Sequence, residues 1–165
     1  MSRAAITLAV IGGGAALLYY LNKQGTFSGT VVGEAIDTAT SAVSSITDPT
    51  DALAKAIATA EGFYVDGSRP QRNHNPGDMT ADLIGKGVGT DGPFIVYATD
   101  DDGWANLKAQ IQKWFDGTSK NADSSSTIAD LAGFYTNTEQ SAWANNVANA
   151  LGVSTDTSLS DLGGS

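Results

Sequence analysis

The sequence predicts a mainly helical α+β domain with one small β-hairpin, preceded by a transmembrane helix and a helical stalk. Three observations carry this reading. Residues 4–21, "AAITLAVIGGGAALLYYL", hold no charge. Apolar residues then recur at helical spacing in stretch after stretch. Only the region between Met79 and Thr99 reads as a pair of strands across a Gly-rich turn.

The uncharged run is long enough to cross a bilayer at ~1.5 Å rise per residue. Arg3 and Lys23 flank it, and Tyr19 and Tyr20 stand where interfacial aromatics belong. A cleaved leader would show a similar run, but no A-x-A site precedes the polar turn. A buried helix in water would be weakened by Gly12, Gly13 and Gly14. The run is therefore read as a membrane anchor over residues 1–22. One cation on each side leaves its orientation open.

"QGTFSGT" is a joint by composition. Val32, Ile36, Ala39, Val43 and Ile46 then outline an amphipathic helix, so residues 23–48 read as linker and stalk. The domain proper spans 49–162, and 163–165 are a tail. Its first helix begins with Asp48 as cap, Pro49 at the first turn and Asp51 on the positive end of the dipole. Leu53, Ile57 and Ala60 form its apolar stripe, and Gly62 stops it. "MTADLI" and "PFIVYAT" are the expected strands, with "GKGVGTDG" as the turn. A helix capped by Thr99 or Asp100 follows, burying Trp104, Leu107, Ile111 and Trp114 or Phe115. Two more are expected, at about 128–134 and 139–151. The end of the chain is expected to pack through Val153 and Leu159 and then fray.

The chain has 165 residues, a net charge of −9 and no cysteine. Cysteine chemistry and thiolate metal sites are excluded. The acidic balance argues against nucleic acid as a partner. A lone histidine, His74, rules out the usual two-histidine zinc hydrolase site, and no G-x-S-x-G or Walker A pattern occurs. No cofactor and no metal site is expected.

Acid–base work by a carboxyl group remains. Glutamate occurs only at positions 34, 61 and 139. Glu61 falls four residues after Ile57, on the margin of an apolar stripe. Partial burial raises a carboxyl above its ordinary value of about 4.3, which lets it donate a proton near neutrality. A cap or ion pair is the plainer role, but a negative charge at a helix C-terminus is unfavourable. The loop that follows, "PQRNHNPGD", carries Arg72, Asn73, His74 and Asn75. Asn presents donor and acceptor on one plane, which suits sugar hydroxyls and N-acetyl amides. The same string also suits an ordinary Asx-rich turn. Trp104, Trp114 and Trp143 stand at helical spacing with aliphatics and are read as core.

"AEGF", "RNHNPGDM", "FIVYATDDDGWANL" and "LAGFYTNTEQSAWANNVANALGV" occur in that order. Together they resemble the lysozyme-like lytic transglycosylase superfamily, closest to small phage and bacterial domains reading E-G-F, a short loop, then R-x-N-N-P-G-D/N. The resemblance covers about Asp51 to Leu162. It implies an α+β lysozyme-like fold and Glu61 as the single catalytic acid/base. It also implies that Asn73 and Asn75 line the cleft, and that Tyr135 stands opposite the glutamate. His74 replaces the family's usual Asn. The implied substrate is the peptidoglycan glycan strand, cleaved at the MurNAc-β-1,4-GlcNAc bond, and relatives in virions suggest virion or envelope proteins as partners. A hydrolase would need a second carboxylate, with Asp66, Asp78 and Asp82 as candidates. Two further classes stay open, a non-catalytic structural or wall-binding module of a virion or envelope and a cross-link peptidase.

Overall fold

The computed structural model describes residues 48–163. The expected anchor and stalk lie outside these residues, apart from Asp48. No helix among the described residues is long and apolar enough to cross a membrane.

Helix α1, Pro49–Ala60, forms as its cap signals dictate. The Asp51 backbone N–H donates to Asp48 Oδ1 at 3.0 Å, and Pro49 occupies the first turn, where its missing N–H costs nothing. Leu53, Ala54, Ala56, Ile57 and Ala58 are buried. Gly62, at φ +78, turns the chain away. A short helix α2, Arg69–Arg72, is an addition to the sequence reading. Ser68 caps it, and one turn was too brief to show a period.

The hairpin is real, but its first strand is elsewhere. Strand β1 is Gly87–Asp91 and β2 is Phe94–Tyr97, antiparallel, with an irregularity between Gly87 and Gly89. The expected turn "GKGVGTDG" thus supplies a strand, and the tight turn is Gly92-Pro93. "MTADLI" is a loop. Asp82 accepts backbone N–H bonds from Gly85, Lys86 and Gly87, which folds that stretch back on itself. β1 is wholly exposed and glycine-rich; it is a strand through its partner and not through propensity.

Helix α3, Asp100–Phe115, is capped by Thr99 and buries Leu107, Ile111 and Trp114, as expected. Helix α4, Ile128–Tyr135, starts from a reciprocal capping box of Thr127 and Asp130. Helix α5, Gln140–Leu151, ends on Gly152 at φ +74. Helix α6, Leu159–Gly163, bears out the packing through Leu159, whose N–H donates to Ser126 O at 2.9 Å, and corrects the fraying expected directly after it, since Leu162 is buried too.

α1 packs between α3 and α5, and α4 packs on α5. Leu53, Ile57, Leu107, Ile111, Leu131 and Val147 meet in the centre of one core, closed by Leu159 and Leu162. The described part is mainly helical with one small hairpin. The core matters for function because it fixes the C-terminus of α1 against α5.

Candidate active site around Glu61

Glu61 is the C-cap of α1; its backbone N–H continues the helix by donating to Ile57 O at 2.9 Å. Because α1 lies on α5, the Glu61 side chain reaches Trp143, whose indole Nε1–H donates to Glu61 Oε1 at 2.6 Å. Trp143 is 6% exposed. Its ring stacks on Tyr135 with centroids 4.5 Å apart and planes 18° apart. Tyr135 is the last residue of α4, and its buried hydroxyl has no hydrogen-bond partner. A buried hydroxyl left unpaired is costly and uncommon.

The charges around Glu61 come from a different stretch. Arg69, at the start of α2, pairs with Asp78 through both carboxylate oxygens, Nε to Oδ1 at 3.1 Å and Nη2 to Oδ2. The Asp78 side chain is 7% exposed, that of Arg69 43%. The Arg69 guanidinium also lies 3.5 Å from the centroid of the Phe94 ring, so the hairpin helps to hold it. Asp78 adopts φ +47, a left-handed conformation that Asp tolerates better than most residues.

These surroundings set the ionisation of Glu61. Burial pushes its carboxyl up to about 7. The Trp143 N–H opposes that rise, the Asp78 charge adds to it, and the Arg69 charge opposes it. Burial also pushes the Tyr135 phenol far above its ordinary range, with the Glu61 and Asp78 charges adding to the shift. The result is a carboxyl that holds a proton up to neutrality beside a neutral phenol. That arrangement can protonate a leaving oxygen and take a proton back.

The loop residues divide. Asn73 is buried, caps α2, and its side chain donates to Asp91 Oδ2 at 3.3 Å. Asn75 is 0% exposed. It donates to Met79 O and Ile95 O, each at 2.9 Å, and accepts from Met79 N–H at 2.8 Å. The expectation that Asn75 meets sugar is therefore corrected: its amide brackets the loop to β2, and both N–H donors are engaged. Arg72 is exposed and bonds to Gly67 O, with Asp91 at 3.9 Å. His74 is at φ +51, and its Nδ1 lies 2.7 Å from Asp100 Oδ1. Arg72 and His74 thus bond away from Glu61, while Tyr135 is brought to it.

Of the three aspartates weighed as a second carboxylate, Asp66 is exposed and Asp82 is engaged by backbone N–H groups. Asp78 alone acts on Glu61. Sequence reasoning missed Trp143 and Arg69 as neighbours of Glu61. The one available signal was that a buried indole N–H needs an acceptor.

A separate groove, lined by Asp51, Lys55, Asp101, Trp104, Ala105 and Lys108, opens along α1 and α3 and does not include Glu61. Its Lys108 and Asp51 are already paired, and neither unpartnered buried side-chain atom, Tyr97 Oη or Tyr135 Oη, belongs to it. The chemistry points to Glu61 instead. No group of three or more His, Asp or Glu among the described residues could hold a metal ion. No family model, no curated protein and no solved structure matches this chain.

Proposed function

We propose that this chain is a peptidoglycan lytic transglycosylase of lysozyme-like fold. The observation that carries the reading is the Glu61 carboxyl, part-buried against Trp143 and the Tyr135 ring stacked on it, and pushed up to about 7. Glu61 gives its proton to the glycosidic oxygen between N-acetylmuramic acid and N-acetylglucosamine, and the C1–O bond breaks. The resulting carboxylate then takes the proton of the muramyl C6 hydroxyl as that oxygen attacks C1. The product is a 1,6-anhydro sugar, no water is consumed, and Glu61 regains its proton. With its stacked ring, Tyr135 backs the indole that holds the acid. In the same proposal, residues 4–21 tether the domain to a virion or bacterial inner membrane, facing the wall.

One observation favours a second reading. Asp78 lies near enough to raise Glu61 electrostatically, so a muramidase with two carboxylates has a candidate. Its bidentate bond to Arg69 weighs against this. Both Asp78 oxygens are engaged, and a carboxylate so held is a poor base and a poor nucleophile. Mass spectrometry of digested peptidoglycan tests both. Anhydromuramyl ends are expected; reducing ends alone would replace the transglycosylase with a hydrolase, and no cleavage by the wild type would remove the enzyme reading.

A further inference from the structure

Trp143 is joined to Glu61 across 82 residues of sequence by one short bond between a buried indole and a part-buried carboxyl. An indole N–H can only donate. The carbonyl oxygen of a protonated carboxyl is a stronger acceptor than its hydroxyl oxygen, so Oε1 takes the carbonyl role and in the acid form the proton belongs to Oε2. The stack on Tyr135 fixes the indole plane and with it the direction of the N–H. We propose that Trp143 is a positioning residue for Glu61, holding Oε1 so that Oε2 is the oxygen that carries the transferable proton. This rests on the proposed glycan-cleaving role of Glu61.

The bond has a second effect. After the proton leaves, the acceptor becomes an anion and the N–H bond strengthens. Trp143 thus stabilises the conjugate base in each half of the cycle. The charged or titratable groups acting on Glu61 are Arg69 of α2, Asp78 of the following loop and Tyr135 of α4. α5 carries no charged residue, so the indole is its contribution. Were Trp143 only a packing residue with no hold on the acid, replacing it would change stability and leave the acid's titration alone.

The test uses the full chain in detergent and the variants Trp143→Phe and Glu61→Gln. Phe keeps a flat ring for Tyr135 and loses the donor. In Trp143→Phe, kcat for glycan cleavage should fall about tenfold, as expected for a lost hydrogen bond to a charged group, with KM little changed. The basic limb of its pH profile should move to higher pH. In the 15N-labelled wild type, the Trp143 indole N–H resonance should titrate with a midpoint near 7 and stay flat over that range in Glu61→Gln. An unchanged pH profile in Trp143→Phe, or a wild-type resonance that does not titrate, overturns the proposal. Should Trp143→Phe fail to fold, the resonance comparison decides alone. A resonance that titrates in a chain that cleaves no glycan overturns the reaction while keeping the hold on Glu61. Glycan cleavage with a silent resonance does the reverse.

Discussion

Two polar clusters in this domain, one around Asn75 and one around Glu61, are built on opposite terms. Around Asn75, every group finds its match: one amide closes three bonds and ties the loop to β2. Around Glu61, the matches are incomplete. One carboxyl oxygen has a donor, the Tyr135 hydroxyl has none, and the carboxyl is displaced to about 7. A satisfied network of the first kind makes a scaffold rigid. A strained one of the second kind lowers stability and appears where chemistry needs it. The contrast, more than either cluster alone, separates holding from reacting.

The largest expected effect breaks the reacting cluster. Glu61→Gln should lower glycan cleavage by at least about a hundredfold, the usual scale for a lost general acid, measured on purified cell walls. The same variant should raise stability. A folded carboxyl near 7 binds more protons than the unfolded one near 4.5, so native stability falls as pH rises through that window and stays reduced above it. Gln removes the penalty, and at pH 8 chemical denaturation should show a gain of up to about 3 kcal/mol that disappears below pH 4. Equal stability of the two proteins at pH 8 would mean that Glu61 carries no such displacement.

Next comes the holding cluster. Asn75→Ala should cost about 3 kcal/mol, because it leaves buried backbone groups of Met79 and Ile95 unpaired. A cost below about 1 kcal/mol would show that the bracket is dispensable. Asp78→Asn joins the two clusters. It removes a charge that raises Glu61, so the basic limb of the pH–rate profile should move below 7. A shift upwards would contradict the arrangement of charges. The smallest effect is expected at His74, part-exposed and paired with exposed Asp100. His74→Gly should change stability by less than about 0.5 kcal/mol, since relief of the left-handed backbone offsets the lost pair.

How much of this was legible beforehand follows from which forces are local. The start of α1 was readable because Asp48, Pro49 and Asp51 act within one turn. Glu61 was readable because its partial burial follows from buried Ile57 four residues earlier. The hairpin register was not, since Gly87–Asp91 is a strand only through its partner. Asn75 misled for a related reason: the amide that suits a sugar suits a backbone equally well, and only the fold decides which it meets. Trp143 was read as core, and it is buried; its N–H partner lay beyond any local pattern. Arg69 and Asp78 are nine residues apart, a separation that neither helix nor strand spacing connects.

Gly103 of α3 holds a last consequence. A Cβ placed there would stand 1.8 Å from the His74 carbonyl oxygen, so the helix and the loop meet with only a hydrogen between them. Any larger residue at 103 would lift the segment that leads to Asp78, and with it the like charge that tunes the acid. Drift at one uncharged, buried spot on the helix could therefore re-set the working pH of the molecule without altering a single ionisable atom.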